Sequence, residues 1–285
     1  MKTAIVTDTN SGITAQMARE MGIYLIPMPF FIDGSTYYEG ETCTPDFFFR
    51  HLKAKAEVST SQPSPEVITS LWTSLLETHD AVLHFPMTAG LSGSCETAKA
   101  LAQEFDGRVL VVDDHRISVT LAQSIRNALT LLAQGKTARE VRGILEAEKD
   151  ASSIYIAVNT LEYLKKSGRV TAAGAAMAAV LHIKPVLKGN EEGAIVAVDK
   201  IRGRRKSIDA LVERYRKYAV APETQTVGIA HADCAEDAEY LASALRIVAP
   251  PKEIMTVMYE PVTGSHVGPG ALALFFLGDE NVRSK

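Results

Sequence analysis

Hydroxyl-bearing side chains gather in three short stretches of this 285-residue chain. They are Thr7-Asp-Thr-Asn-Ser11, Thr60-Ser-Gln-Pro-Ser64 and Gly90-Leu-Ser-Gly-Ser94, each placed after an expected strand or before an expected helix. Open α/β sheets bind ligands at the carboxyl ends of their strands, so the positions matter as much as the residue types. A helix N-terminus leaves four N–H groups without partners and carries the positive end of the dipole; hydroxyls beside it complete an uncharged anion site. Such a site suits a carboxylate or a phosphate. Taken singly, each stretch also reads as ordinary helix capping and turn closure. A fourth stretch, Gly264-Ser-His-Val-Gly-Pro-Gly270, reads as a backbone-permissive loop holding His266, with glycines on both sides that let another group approach closely.

An enzyme reading starts from the same residues. Gly90-Leu-Ser92-Gly-Ser94 following a strand approaches a nucleophile elbow, with Ser94 in place of the required glycine. Asp233 and His266 follow in the chain order of the hydrolases that use this elbow. Other chemistries lack their motifs: there is no dinucleotide fingerprint, no P-loop and no paired-histidine zinc helix. The seven histidines include no pair at helical metal-ligand spacing, so neither a metal nor a cofactor is expected.

The elements that must carry these residues form an α/β protein. Expected strands at 3–7, 23–27, 81–85 and 108–112 alternate with amphipathic helices, the pattern of a mostly parallel sheet covered on both faces. A helix over 65–78 has Ser64 as its cap, Pro65 at its first position and a stripe of Ile68, Leu71, Trp72, Leu75 and Leu76. A second helix spans 117–133, and a third opens with the capping box formed by Thr137 and Glu140. After a strand near 153–158 the pattern changes. A helix carries Leu161, Tyr163 and Leu164, a Gly/Ala-rich stretch covers 171–180, and strands at 183–187 and 194–199 flank a turn-rich loop, which predicts an antiparallel hairpin. Helices at 205–218 and 235–247 and strands at 226–230 and 254–259 follow. The expectation is two domains, 1–155 with a Rossmann-like parallel sheet and 156–285 with a mixed sheet.

Composition bounds the function. Apolar residues make up 46% and charged residues 22%, as in ordinary globular proteins, and a net charge of −4 gives no basic field for nucleic acid or anionic lipid. Three widely spaced cysteines make no disulfide framework, which fits a reducing cytoplasm. No export signal and no run long enough for stable membrane insertion is read.

The stretches already quoted, together with Leu161-Glu-Tyr-Leu-Lys-Lys-Ser-Gly-Arg169, Ile183-Lys-Pro-Val-Leu187 and His266-Val-Gly-Pro-Gly270, resemble in order the motifs of the DegV family of bacterial fatty acid-binding proteins. The resemblance covers essentially the whole chain. It implies a long-chain fatty acid held between sheet and helices, with no catalysis by the chain itself. Thr60 and Ser92 match the hydroxyls that hold the carboxylate, with Ser61 an alternative to Thr60 and Gly93 beside Ser92. His266 matches the histidine near the head group, and Arg169 and Arg202 match basic residues near the ligand mouth or facing a partner. The implied partner is a fatty acid kinase catalytic subunit that phosphorylates the bound acid for phospholipid synthesis; the basic run Arg202-Gly-Arg-Arg-Lys206 would attract such a partner. The sequence departs from the pattern at Ser167, Cys95 and Val267; Cys95 reads first as a buried structural thiol and second as extra room for the chain.

Overall fold

The computed structural model describes residues 2–149, 152–170, 183–219 and 221–277. Three sheets organise them. The first runs β2-β1-β6-β7 through Tyr24–Ile26, Thr3–Asp8, Ala81–Phe85 and Val109–Val111, with every neighbour parallel. Alternate residues of β1 and β6 point to opposite layers. Ile5 and Leu83 meet Leu121, Ile125, Val141 and Leu145 of α5 (Ser118–Ala133) and α6 (Ala138–Ala147). Val6 and Val82 meet Trp72, Leu75 and Ala98 of α3 (Pro65–Leu76) and α4 (Ser94–Ala102). Burial on both faces explains why these strands read as continuous apolar runs. The predicted caps are in place: Ser64 Oγ accepts from Val67 N at 3.4 Å, and Thr137 and Glu140 close a reciprocal capping box. The short α1 (Ala15–Met21) follows the first loop.

A small antiparallel sheet, not anticipated, joins β4 (Ser35–Tyr38), β3 (Pro29–Ile32) and β5 (Val58–Thr60), with α2 (Pro45–Lys53) between β4 and β5. Its hairpin turns through Asp33 and Gly34, both at positive φ (47° and 79°), the two-residue geometry that matches strand twist.

The third sheet is mixed, in the order β10-β9-β8-β13-β11-β12. β8 is Ser152–Ala157, β9 Ile183–Gly189, β10 Ile195–Arg202, β11 Thr226–His231, β12 Glu253–Met258 and β13 Leu272–Leu277. β9 and β10 pair as the predicted antiparallel hairpin, and only β11 and β12 are parallel neighbours within the sheet. All six residues of β8 belong to this sheet, so a division at 155/156 would cut a strand. The short α7 (Glu162–Ser167) follows β8, and one face of the sheet is covered by α8 (Arg204–Tyr218) and α9 (Ala235–Val248). The other face, through Ile156, Val158, Leu187 and Phe275, packs on Phe30, Phe48 and Phe49 from the first half of the chain. This shared core spans the expected domain boundary. The Gly/Ala-rich stretch at 171–180 lies outside the described residues, and among those described no helix is long and apolar enough to cross a membrane.

Candidate functional site

Three chain segments converge above the shared core. Thr60 ends β5 and pairs with Phe30, and the next residue, Ser61, donates its N–H to Pro29 O at 3.2 Å, so the small sheet fixes both hydroxyls. Ser92 sits in the turn after β6, where Leu91 N and Ser92 N both donate to Thr88 O at 3.1 and 3.3 Å. The tip of the β9–β10 hairpin seats on this turn. A Cβ on Gly90 would lie 2.4 Å from Glu192 O, and one on Gly193 would lie 2.0 Å from Thr88 Oγ1. Two glycines are needed here because the two backbones touch.

The third segment corrects an expectation. Residues 264–270 are not simply a loop: Pro261–Val267 form a short helix, α10, with Pro261 in its first turn and His266 in its last. Its glycines serve protein packing. A Cβ on Gly264 would meet Phe49 Cζ at 2.6 Å, and one on Gly268 would meet the Tyr163 ring at 2.3 Å. The helix start is anchored by Glu39, which accepts from Val262 N at 2.5 Å.

Together these segments wall a cavity with about 890 Å³ of space between atoms, its open mouth included. Most of the wall is apolar, including Met28, Met87, Ile154, Ile156, Leu164 and Val267. The polar lining comes from Thr60, Ser61, Gln62, Ser92, Thr263, His266 and Arg169. Thr60, Arg169 and His266 also line a neighbouring outer groove that carries Lys55 and Lys166.

The polar end is poised to donate hydrogen bonds. Thr60 Oγ1 lies 3.2 Å from His266 Nε2, and His266 Nδ1 is buried with no partner among the described residues. Burial first, then the Arg169 cation, push the His266 pKa down to about 4, so the ring is neutral at ordinary pH. An unpaired buried N–H is rarer than an unpaired acceptor, which favours the proton on Nε2. The ring then donates to Thr60 Oγ1, and the Thr60 hydroxyl proton is free. Ser92 Oγ accepts from Ser94 N at 3.2 Å, which leaves its own proton free as well. Arg169 donates from Nε to Leu91 O at 3.3 Å and from Nη1 to Ser167 O, so its fork is fixed at the site's edge.

Thr60, Ser61, Ser92, Gly93, His266 and Arg169 are thus brought together at one cavity. Arg202 is not among its lining residues. It is exposed at the end of β10, about 23 Å along the strand from the cavity residue Ile195 at roughly 3.3 Å per residue. The Thr7–Ser11 stretch is also elsewhere: Thr7 Oγ1 donates to Phe85 O at 2.8 Å, Ser11 Oγ to Asp8 O at 2.8 Å, and Thr9 Oγ1 to Glu39. Cys95 lies in the core around Trp72, not at the cavity, and burial pushes its thiol up to about 12. Thr263, Gln62, Met28, Met87 and Tyr259 were not singled out from sequence. Thr263 stands one turn before His266, a spacing visible only once α10 is known to be helical.

The enzyme reading finds no support in this geometry. Among the described residues His266 Nδ1 has no carboxylate partner, Asp233 is paired with Lys53, and His266 bonds Thr60 and not Ser92. Cys95, Glu96 and Asp113 cluster closely enough to suggest a cation site, but Lys99 Nζ already sits 2.8 Å from both carboxylates.

Comparison with known proteins places the chain in a family. The profile of the DegV family, described as uncharacterised proteins, matches residues 2–279. A DegV domain-containing protein of Clostridium perfringens is 30% identical, over 98% of both chains. Among solved structures, a DegV family protein from Thermus thermophilus, described as fatty acid binding, superposes with a TM-score of 0.85 at 30% identity, covering 98% of this chain and 100% of that one. The fatty acid binding DegV family protein of Streptococcus agalactiae gives 0.88 at 29% identity, covering 98% and 99%. With its profile matched almost end to end and its sheets superposed on solved members, the chain belongs to the DegV family.

Proposed function

We propose that this protein holds a long-chain fatty acid in the cavity between the small sheet, α10 and the third sheet, with the carboxylate at Thr60 and Ser92. The observation that carries this reading is an apolar space whose polar end offers free hydroxyl protons and a neutral imidazole, with one fixed cation at the edge. The solved relatives described as fatty acid binding support the ligand class. Burial of each methylene contributes about 0.8 kcal/mol, so a chain of a dozen or more supplies roughly 10 kcal/mol before association costs. A carboxylate left unpaired in such a space would cost several kcal/mol and take up a proton. Two charge-assisted bonds of about 1.5–3 kcal/mol each offset that cost, so the tail sets affinity and the hydroxyls set orientation. Ser61 and Gly93 contribute at the rim, and Arg169 balances the charge from the side.

The finer part of the reading is presentation of the bound acid to a partner kinase that forms an acyl phosphate. Exposed Arg202 faces such a partner. Arg202→Ala is expected to leave fatty acid affinity unchanged while slowing acyl-phosphate formation; equal losses in both would place Arg202 at the ligand after all. The primary test is mass spectrometry of organic extracts from protein purified without added lipid. Stoichiometric long-chain acid, lost in a Thr60→Val, Ser92→Ala double variant, is expected. Stable phosphonate labelling of Ser92 with no extractable lipid would support a hydrolase instead.

A further inference from the structure

The cavity has a second boundary, distinct from the polar one. Besides the outer groove that shares Thr60, Arg169 and His266, it adjoins a larger cleft of about 1530 Å³, open solvent included, between the turn after β6 and the β9–β10 hairpin. The two spaces have Leu91, Ile117, Ile154 and Ile195 in common, and none of these is polar. The cleft also carries polar side chains, with Lys149, Ser152, Lys188 and Asn190 on its walls.

The geometry points to these four side chains as a partition that sets the maximum length of chain this protein accepts, on the reading that the cavity holds a fatty acid. With a carboxylate at Thr60 and Ser92, the tail runs toward Ile117, Ile154 and Ile195, while Leu91 borders both ends of the wall, its carbonyl accepting from Arg169 Nε at 3.3 Å. There, among the described residues, the two spaces share the same side chains as lining, with the open cleft on the far side. The wall is held from outside. Ile154 Cγ2 would stand 3.0 Å from a Cβ on Gly189, a cleft residue, so Ile154 already rests against the hairpin backbone. Ile117 is fixed at the start of α5, its N–H donating to Thr120 Oγ1 at 3.3 Å. Ile195 and Ile117 are nearly inaccessible, at 4% and 8% exposure. The hairpin cannot swing away cheaply, because its tip is locked on the β6 turn through Gly90 and Gly193. A methylene beyond the wall would enter a wet cleft and forfeit its burial.

The test is a competition binding series of straight-chain saturated acids of increasing length against the full-length protein. Ile154→Ala and Ile117→Ala should move the preferred length upward, each newly accommodated methylene improving relative affinity about fourfold. Leu91→Phe, which thickens the wall, should move it downward. Leu164→Ala removes a cavity residue that the cleft does not share and should change all lengths alike. An unchanged length profile in the wall variants, with melting temperatures showing them folded, would overturn the partition; so would an equal length shift in Leu164→Ala. Failure of the wild-type protein to bind any acid is a separate result, which removes the proposed function and the partition with it.

Discussion

Two polar clusters sit at opposite ends of α10, and they differ in what their hydrogen-bonding groups have left to give. At the helix start, Asp8 and Glu39 are sealed from solvent, and all four of their carboxyl oxygens accept internal bonds. Asp8 takes Asn10 N at 2.9 Å and Met87 N at 3.1 Å; Glu39 takes Val262 N at 2.5 Å and the Thr9 hydroxyl. Burial pushes Glu39 up to about 8, Asp8 to about 6 and the neighbouring Glu260 to about 7. At the helix end, Thr60, Ser92 and His266 are only half-buried, and two hydroxyl protons remain unspent. The first cluster builds a scaffold by saturating itself. The second is held in place by that scaffold and keeps its donors for something else.

Removing the scaffold should therefore cost far more stability than trimming the site. Glu39→Ala strands Val262 N and Thr9 Oγ1 and is expected to destabilise by about 2–4 kcal/mol in urea unfolding. A loss below about 1 kcal/mol would show that the start of α10 is not anchored there. Gly90→Ala forces apart two touching backbones and should cost about 1–3 kcal/mol, with weakened ligand binding because the turn holding Ser92 is displaced.

The pH response should separate the clusters by sign. Glu39 folded titrates at about 8, above its usual 4.5, so the unfolded chain releases its proton first and stability falls as pH rises through that window. Asp8 and Glu260 act in the same sense, and Glu39→Gln should flatten the slope. His266 is shifted the other way, from 6.5 to about 4, so its contribution is lost as pH falls below 6.5. Melting temperature against pH for wild type and for His266→Gln checks this smaller, acid-side effect. The smallest stability change belongs to Thr60→Val, under about 1 kcal/mol, while fatty acid affinity drops about tenfold to a hundredfold with loss of one charge-assisted bond. Comparable losses of stability from Thr60→Val and Glu39→Ala would erase the distinction.

The same contrast explains what the sequence discloses. Caps and patterns confined to a few residues were legible: Ser64 with Pro65, Thr137 with Glu140, the hairpin around 189–193, and the hydroxyls at 60, 61 and 92. Elements whose signals mimic something else were not. α10 looks like a loop because Gly264 and Gly268 sit within it and at its end, yet both glycines answer to neighbouring rings, Phe49 and Tyr163, supplied by distant parts of the chain. β13 is buried on both faces between β8 and β11 from Leu272 to Phe276, so these residues show no alternation to announce a strand. The β3–β4 hairpin did carry a local cue, Asp33 followed by Gly34. The approach of Thr60 to His266 spans 206 positions and has no local signature; the resemblance to the DegV family supplied it. Arg169 and Arg202 carry the same expectation in the sequence, and only the fold distinguishes a cation fixed at the cavity from one at the far end of β10.

Diffraction from crystals grown with a long-chain acid brominated at its terminal carbon tests the central claim most directly. The account predicts carboxylate density within hydrogen-bonding distance of the Thr60 and Ser92 hydroxyls, with the bromine anomalous peak enclosed near Ile117 and Ile154. A bromine beside Thr60 and His266, or acid bound outside the cavity, would contradict it.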